Sequence, residues 1–322
     1  MAATETTTYL GDFSIMLETV EGRRTVTIEK YSGDLEEVHV PDNVGGIPVT
    51  AFGWQAFENC KNLVSVTLPQ SLVSMDAWAF YGCDKLKNIK FPKGLVNLGS
   101  GCFPGSYSLI AIDVDEQNPV YTSCEGVLLD KNCTTLIKYP PGKKGDYTIP
   151  ESVIHIDRGA FDYCRELSLI SIPKDTMSIY LDAFTECEGL TGFIVNENNP
   201  RFSSIDGVLF HKEEKSLLNY PRGNNNTDYI VPDSVTRIRH GAFRECKKLS
   251  SITLPESLEL IEAEAFIGCA GLGSINLPAS LRYIGEDAFK ECPNLQTITL
   301  SITTKTGYKA FDGISGKLVY RD

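Results

Sequence analysis

The chain has 322 residues, of which 42% are hydrophobic and 22% are charged, and its formal net charge is −12. An acidic chain lacks the basic face that nucleic acids and anionic membranes attract, so neither is expected as the main partner. The sequence has no run of about 18 apolar residues, which excludes a membrane-spanning helix. The start, MAATETTTYLGDF, has neither the basic nor the apolar segment of a signal peptide, so none is predicted there.

The first predicted strands lie near the N-terminus. FSIMLETVEGRRTVTIEKY (13–31) places two strand-like runs on either side of a Glu-Gly pair, which predicts a β-hairpin. GGIPVTAF (45–52) then leads into the region that follows. We expect residues 1–50 to form a β cap, because the open end of a repeat array exposes unpaired strands.

A repeat with a step of mostly 23 residues occupies residues 51–301. In the first coil Leu63, Val66 and Leu68 follow the Phe by six, nine and eleven residues, and the other coils keep apolar residues there. Positions nine and eleven share one face of a strand, and a Pro such as Pro69 ends it. The last segment, 302–322, is predicted to be a C-terminal cap with one short strand. The coils are registered on Phe57, Phe80, Phe103, Phe161, Phe184, Phe243, Phe266, Phe289 and Phe311.

Most coils carry a Cys three residues after the Phe. Phe, Cys and Leu at i, i+3 and i+6 predict one short helical turn that buries all three. Stacked coils would align these Cys as a column of small buried hydrophobes. Oxidation between neighbouring coils is the alternative, whereas metal binding is disfavoured because no second ligand lies at a suitable spacing. The column comprises Cys60, Cys83, Cys164, Cys187, Cys246, Cys269 and Cys292; Cys124 and Cys133 lie outside it and are predicted to be free thiols.

Two insertions interrupt the repeat, near 115–145 and 197–227. NPVYTSCEGVLLDKNCTTLIKYPPGKKGDYTIP (118–150) parallels NPRFSSIDGVLFHKEEKSLLNYPRGNNNTDYIVP (199–232). Each predicts a β-hairpin around a polar turn. Each then returns to the repeat in register, because Pro150 and Pro232 precede the next Phe by 11 residues, as Pro69 does.

These features together resemble the BspA-like leucine-rich repeat family. The matching motifs are AFxxCxxLxxIxLPxSLxxI, the NP…DGVL…YP insert and the GGIPVTAF segment, and they run from about residue 12 to residue 320. The resemblance implies an α/β, β-rich solenoid across 1–322 as one domain. Its right-handed coils would place a parallel sheet on the concave side and short helical turns on the convex side. It also implies a surface or secreted protein of a host-associated microbe, since the members are largely of this kind and several act as adhesins.

No catalytic signature is present. GxSxG, HExxH and Walker A patterns are absent, and PGKKGD (141–146) lacks a strand–helix context. His39, His155, His211 and His240 fall at different phases of the repeat. An acidic group of Asp113, Asp115 and Glu116 lacks the ligand order and Gly of a calcium loop. We therefore predict no enzyme activity, no cofactor and no metal.

Two surfaces are predicted to bind a partner. The outward strand positions, eight and ten residues after each Phe, form a stripe rich in hydroxyl groups, although Ser and Thr also suit any solvated strand. Its candidate residues are Ser65, Thr67, Asn88, Lys90, Asp113, Leu169, Ser171, Ile194, Ser251 and Thr253. The second surface is an aromatic patch of Trp54, Trp78 and Tyr81, with Trp78 and Tyr81 on one helical turn.

The expected function is binding of a protein ligand, such as a host or matrix protein, at the cell surface or in the medium. A carbohydrate-binding surface protein is the first alternative, because exposed Trp and Tyr rings also stack on sugars. An intracellular scaffold is the second, because no signal peptide is visible and the thiols are unpaired.

Overall fold

The computed structural model describes residues 7–180 and 182–321. Every regular element in these ranges is a β-strand. The chain forms two compact units. The first contains the described residues of Met1–Lys144, Ser152–Glu166 and Ala183–Glu186, and the second contains those of Gly145–Glu151, Leu167–Asp182 and Cys187–Asp322.

The strands are short, and most have two to five residues. In chain order they are β1 (Thr7–Leu10), β2 (Phe13–Val20), β3 (Arg23–Tyr31), β4 (Glu37–His39), β5 (Asn43–Val44), β6 (Ile47–Phe52), β7 (Ser65–Thr67), β8 (Ser74–Met75), β9 (Asn88–Phe91), β10 (Asn97–Leu98), β11 (Ala111–Val114), β12 (Tyr121–Cys124), β13 (Val127–Asp130), β14 (Thr135–Lys138), β15 (Gly145–Thr148) and β16 (His155–Ile156). They continue with β17 (Leu167–Ile172), β18 (Ser178–Ile179), β19 (Gly192–Val195), β20 (Phe202–Ile205), β21 (Val208–His211), β22 (Ser216–Asn219), β23 (Asp228–Ile230), β24 (Arg237–Ile238), β25 (Ser251–Thr253), β26 (Leu260–Ile261), β27 (Ser274–Asn276), β28 (Tyr283–Ile284), β29 (Thr297–Ser301), β30 (Lys305–Thr306) and β31 (Lys317–Arg321).

A typical coil contributes two strands, where the sequence predicted one. The predicted strand is present: β7 places Val66 inside, with Ser65 and Thr67 outside, and Pro69 follows its end. The second strand is the two-residue β8, which the short pattern did not reveal. The next coil repeats both, because β9 pairs with β7 and β10 pairs with β8, all parallel. Each coil thus adds one rung to two separate sheets.

The predicted helical turn around each Phe is wrong, and the described residues contain no helix. The N–H groups of Phe57 and Asn59 donate to the carbonyls of Ala79 and Tyr81 in the next coil, both at 2.7 Å. The N–H groups of Ala56, Glu58 and Cys60 instead bond three residues back within their own coil. A helix needs every N–H for its own i→i−4 bonds, so bonding between coils excludes it.

Left-handed backbone marks the same two positions in successive coils. Gln55 and Asn59, two residues before and after the Phe, have φ of 57°. The same conformation recurs two residues before or after later Phe residues, at Trp78, Gly82, Gly101, Gly105, Gly159, Tyr163, Glu186, Gly241, Glu245, Glu264, Gly268, Asp287, Glu291, Lys309 and Gly313. These residues alternate the direction of the peptide groups, which lets the turn bond to the coils beside it.

The first unit holds a parallel sheet and a mixed sheet that includes the N-terminal hairpin. One sheet has the order β11-β9-β7-β4, and the other runs β1-β2-β3-β6-β8-β10. The hairpin predicted over 13–31 is confirmed: Val20 pairs with Arg23 across Glu21 and Gly22, both at positive φ. Its strand β3 pairs in parallel with β6, so the hairpin extends the short-strand sheet. The strand β1 was not predicted.

The second unit repeats this arrangement. Long strands form the groups β15-β17-β19 and β23-β25-β27-β29-β31, and short strands form β20-β21-β22-β24-β26-β28-β30. The predicted last strand is present as β31, which pairs in parallel with β29. Both units are therefore solenoids of stacked β-coils with an apolar interior.

Ring stacking dominates the two cores. In the first unit Phe57 and Phe80 stack with ring centroids 4.9 Å apart and planes within 13°. In the second unit Phe243, Phe266 and Phe289 stack at 4.8 and 4.9 Å. All five rings are completely buried. Offset stacking of buried rings adds about 0.5–1.5 kcal/mol per pair beyond the area that it buries.

The two insertions contain a third strand that the sequence did not predict. The first insert is the antiparallel group β12-β13-β14, and β14 then pairs in parallel with β16. The second insert, β20-β21-β22, has the same design and joins β24. Both inserts are therefore built into the short-strand sheets. Their first turns, Glu125-Gly126 and Asp206-Gly207, have positive φ at both residues, as type I′ hairpins require.

A buried asparagine fastens each insert to the preceding coil. Asn199 is 1% exposed, and its Nδ2 donates to the carbonyls of Pro173 and Thr176 at 2.9 and 3.0 Å. Its Oδ1 accepts the N–H groups of Arg201 and Phe202 at 2.9 and 2.7 Å. Asn118 makes the equivalent four bonds in the first insert. All the capacity of one amide is used to start the insert.

Candidate functional site

The outward face of the long strands carries the predicted stripe. In the first unit Ser65, Thr67, Asn88, Lys90 and Asp113 are all exposed, whereas the alternating inward residues are buried or half-buried. Ser65 pairs with Asn88, and Lys90 pairs with Asp113. The alternation between exposed and buried positions is therefore confirmed, and it brings these side chains into rows across neighbouring strands.

The insert tips interrupt the stripe. The carbonyl of Gly207 accepts the N–H of Phe193 at 2.9 Å, and Gly192, an outward position by count, is buried. A Cβ on Gly192 would lie 3.3 Å from the Cα of Gly207, so the tip covers the strand at close range. In the first insert Gly126 accepts the N–H of Ile112 at 2.8 Å in the same way. The polar stripe is thus divided into segments.

The stripe in the second unit is less polar. Leu169 and Ser171 are half-buried and Ile194, which pairs with Ser171, is 52% exposed. Thr148, Ser171 and Ile194 line a shallow depression of about 140 Å³. Further along, Ser251 is half-buried and Thr253 is exposed.

Hydroxyl groups hold one carboxylate of this stripe in its charged form. Ser251 donates to Asp228 Oδ1 at 2.6 Å, and Thr227 donates to Asp228 Oδ2 at 2.8 Å. These two bonds lower the pKa of Asp228, with the Ser251 bond acting most strongly. The segment therefore presents a fixed negative charge beside its hydroxyl groups.

The predicted aromatic patch is a continuous stack. The ring centroids of Trp54 and Trp78 are 6.5 Å apart with planes at 30°, and those of Trp78 and Tyr81 are 5.5 Å apart at 26°. Trp54 is 62% exposed and Trp78 is 43% exposed. Trp78 and Tyr81 do not share a helical turn as predicted; a three-residue turn, with the N–H of Tyr81 bonded to the carbonyl of Trp78, brings them together. The sequence therefore identified the right residues with the wrong local structure.

Trp78 holds an unusual backbone conformation for its residue type. Its φ is 62°, at the position where later coils have residues such as Gly101, Gly159 and Gly241. Left-handed backbone costs an L-residue roughly 1–2 kcal/mol. Gly101 leaves space for the ring, because a Cβ there would lie 3.4 Å from Trp78 Nε1. A large aromatic ring is thus displayed at some local cost.

Six of the seven cysteines of the column are buried, as predicted, whereas Cys60 is half-buried. Cys83, Cys269 and Cys292 are fully buried, and each thiol lies 2.9–3.1 Å from the carbonyl of the Phe that opens the preceding coil. Burial raises the pKa of Cys164 and Cys246 to about 12. These cysteines are reduced and act as packing groups. At Cys60 and Cys292, in contrast, a hydrogen bond with the thiol of Cys83 or Cys269 lowers the pKa.

Three cysteines lie outside the column, of which Cys102 is buried like the column itself and the other two are more accessible. Cys124 is exposed and Cys133 is half-buried, and both are free, as predicted. Cys124 pairs with Val127 across the first turn of the insert, so the two thiols do not face each other across the strands.

The described residues contain no assembled metal site and no helix able to cross a membrane. Within 7–180 and 182–321, no three His, Cys, Asp or Glu side chains come together as metal ligands would. In the acidic group, Asp115 Oδ1 instead accepts the N–H of Gln117 at 2.9 Å. The same ranges contain no helix of the length and apolarity needed to cross a bilayer.

Comparison with known proteins gives the family and the fold. The family model described as BspA type leucine rich repeat region matches in six copies, over residues 30–126, 145–217 and 219–320. No protein with a curated description matches the sequence significantly.

Two solved structures share the architecture. A leucine rich cell surface protein from Faecalibacterium prausnitzii is 22% identical with a TM-score of 0.52, and the alignment covers 99% of this chain and 96% of that one. The pneumococcal vaccine antigen PcpA is 18% identical with a TM-score of 0.53, and the alignment covers 98% of this chain and 88% of that one. At these identities the likeness shows the leucine-rich-repeat solenoid fold alone. On its sequence and its coils, the chain belongs to the BspA type leucine-rich repeat family.

Proposed function

We propose that the protein is a non-enzymatic binding module that recognises a protein partner, as a cell-surface or secreted adhesin or receptor would. The observation that carries the proposal is the exposed stack of Trp54, Trp78 and Tyr81. Trp and Tyr are enriched among the few residues that supply most of the binding energy of protein interfaces. Membership of a family rich in surface adhesins supports the same setting.

The backbone of Trp78 is the second support. A residue that breaks a local conformational rule without gaining burial is a candidate for function. Trp78 keeps 43% of its surface exposed, so burial does not repay its left-handed φ. Other coils hold Gly or a polar residue such as Gln55 or Glu264 at this left-handed position, so the large aromatic ring of Trp78 is the departure that supports a functional role.

The geometry favours a protein over a sugar as the ligand of this stack. A sugar stacks on an open ring face, but the ring of Trp78 already stacks with both Trp54 and Tyr81. The partly exposed rings of Trp54 and Trp78 each combine an apolar surface with an indole N–H group. Such mixed apolar and polar surfaces suit the side chains and backbone of a protein surface.

The strand stripe is a weaker candidate for the contact. Its exposed members in the first unit, including Ser65, Asn88 and Lys90, are hydroxyl, amide and ammonium groups. Lys and Ser are depleted at interface cores, so this stripe would form a rim or a selectivity surface.

The test is a pair of arrays probed with the whole chain. Extracellular host and matrix proteins are spotted on one array and glycans on the other. We expect a protein ligand whose binding is lost in Trp54→Ala and retained in Tyr308→Ala. Tyr308 is a matched control because it is also strongly exposed, at 69%. Binding to glycans with loss in Trp54→Ala would replace the proposal with the carbohydrate alternative.

The proposed setting is tested separately on native cells. Intact cells are treated with protease and the released peptides are identified by mass spectrometry. Peptides from 199–232 that are absent from a lysis control support a surface location. Complete protection, with the protein in the soluble fraction, would favour an intracellular scaffold.

A further inference from the structure

The second unit contains an open cavity that the proposed function does not use. It lies against β18 and the second insert and has a volume of about 340 Å³. Its polar lining is Ser178, Tyr180, Arg201, His211, Glu214 and Arg239, above apolar side chains that include Phe202 and Leu218. This size lies at the lower end of ordinary ligand pockets, roughly 300–1,000 Å³.

The two inserts differ in sequence at this place. In the first insert Tyr121 donates its hydroxyl to the carbonyl of Val96 at 3.2 Å. In the second insert Phe202 stands at the aligned position and has no hydroxyl. Arg201 replaces Val120, and His211 replaces Asp130. These substitutions remove one hydroxyl group and place two basic side chains, Arg201 and His211, in the lining of the cavity.

Arg201 supplies a cation without a carboxylate. Its Nη1 lies 3.4 Å from the carbonyl of Met177, and no Asp or Glu oxygen of the described residues lies within 4.0 Å of its guanidinium. Arg239, in contrast, pairs with Glu214 at 2.5 Å and with Glu262 at 3.4 Å. The lining thus contains one guanidinium that is neutralised and one that is not, in a chain whose net charge is −12.

His211 supplies a second donor. Its Nδ1 accepts the backbone N–H of Glu214 at 3.2 Å, so in the neutral ring the proton is on Nε2. The ring packs edge-on against Phe202, with centroids 5.2 Å apart, which holds its orientation. The cavity therefore combines a cation, an imidazole N–H and the hydroxyl of Ser178 as donors, and Glu214 as an acceptor.

We propose that this cavity binds a carboxylated sugar residue of a glycan. Arg201 would bind the carboxylate, because a guanidinium forms paired charge-assisted bonds with that group. His211, Ser178 and Glu214 would bind hydroxyl groups, and Glu214 can accept where the others donate. The ring of Tyr180, which is 50% exposed, offers an apolar surface for the sugar ring. An acidic protein side chain could pair with Arg201, but it has no hydroxyl groups for Ser178 and Glu214 to bind.

The test is an NMR titration of the whole ¹⁵N-labelled chain with methyl β-D-glucuronide. The Nε–H signal of Arg201 and the ring signals of His211 report occupancy. We expect a Kd on the order of 1 mM, as befits a single sugar. Methyl β-D-glucoside, which lacks only the carboxylate, should bind at least about tenfold more weakly, since a charged hydrogen bond is lost.

Two variants isolate the cation. Arg201→Val, which introduces the residue of the aligned position 120, should weaken binding of the glucuronide about tenfold or more. Arg282→Ala is the matched control, because Arg282 is exposed and lies outside the cavity lining. A urea unfolding curve checks that Arg201→Val remains folded.

Three results would overturn the proposal. The first is equal binding of the glucoside and the glucuronide. The second is no binding of the glucuronide at about 10 mM, roughly ten times the expected Kd. The third is equal or tighter binding of N-acetyl-glutamate methylamide, which would assign the cavity to acidic protein side chains. None of these outcomes bears on the Trp54 stack, so this site and the proposed function fail or succeed separately.

Discussion

Replacing Asn199 by Ala tests how the inserts are fastened to the coils. The amide makes four hydrogen bonds at 2.7–3.0 Å, and three of its four backbone partners belong to buried residues. Alanine leaves two carbonyls and two N–H groups without their partner. Each buried unsatisfied group costs about 1–3 kcal/mol, and water can reach the half-buried Arg201, so we expect a loss of about 3–5 kcal/mol.

The measurement is urea unfolding followed by far-ultraviolet circular dichroism. A loss of about 3 kcal/mol lowers the midpoint by about 1 M or more at typical slopes. Asn198→Ala is the control, because its exposed side chain neighbours Asn199 and the change should cost less than about 0.5 kcal/mol. Asn118→Ala should reproduce the loss in the first insert. The reasoning is refuted if Asn199→Ala and Asn198→Ala unfold at the same urea concentration.

Asn199→Asp adds a pH signature to the same test. The carboxylate keeps the two acceptor contacts but faces the carbonyls of Pro173 and Thr176, which repel it. Burial would raise the pKa of this introduced carboxyl above its unfolded value of about 3.9. The neutral form is therefore favoured in the folded state, and the variant should regain stability as the pH falls through the folded pKa. If the stability of Asn199→Asp instead falls with decreasing pH in parallel with that of the native chain, this account is wrong.

Three further predictions concern single positions. Iodoacetamide at pH 8 should label exposed Cys124 first and leave Cys164 and Cys246 unlabelled in the folded protein. At a pKa of about 12, only about one thiol in 10,000 is ionised at this pH. If mass spectrometry shows fast labelling of Cys164 or Cys246, the buried column is refuted. Trp78→Gly should be more stable to urea than Trp78→Ala by about 1 kcal/mol, since glycine accepts a φ of 62°. If Trp78→Ala is the more stable variant, the backbone at Trp78 is not strained. Ser251→Ala should raise the pKa of Asp228, which NMR can measure. In the native chain the lowered pKa stabilises the fold above the unfolded pKa of Asp228, and this stabilisation is lost as the pH falls through the folded pKa, so the variant should have less of it. An unchanged pKa would contradict the assigned hydrogen bond.

Sequence periodicity predicted the long strands because their alternation has a period of two and covers four residues in every coil. The short strands, such as β8, have only two residues, and no period can be recognised over that length. The helical turn was predicted from Phe, Cys and Leu spaced at three residues, which a chain of tight turns satisfies equally well. What distinguishes the two is positive φ at Gln55 and Asn59, and neither residue is a glycine that would reveal it.

The candidate sites, like the strands, could be predicted from the sequence only in part. Trp78 could be identified from the sequence because it is the odd residue at its repeat position. Its stacking with Trp54 depends on bonding between adjacent coils, which no local pattern specifies. The cavity beside Arg201 depends on how the second insert packs against β18, which no local pattern specifies. Both candidate sites therefore lie where the chain departs from its own repeat.

The affinity of the array-identified protein for Trp54→Ala, measured by surface plasmon resonance beside the native chain and Tyr308→Ala, tests the central proposal most directly. A residue at the centre of an interface contributes at least about 2 kcal/mol, so Trp54→Ala should raise the Kd about 30-fold. Tyr308→Ala should leave the Kd unchanged. If Trp54→Ala binds its partner as tightly as the native chain, the aromatic stack is not the binding surface and the proposal is wrong.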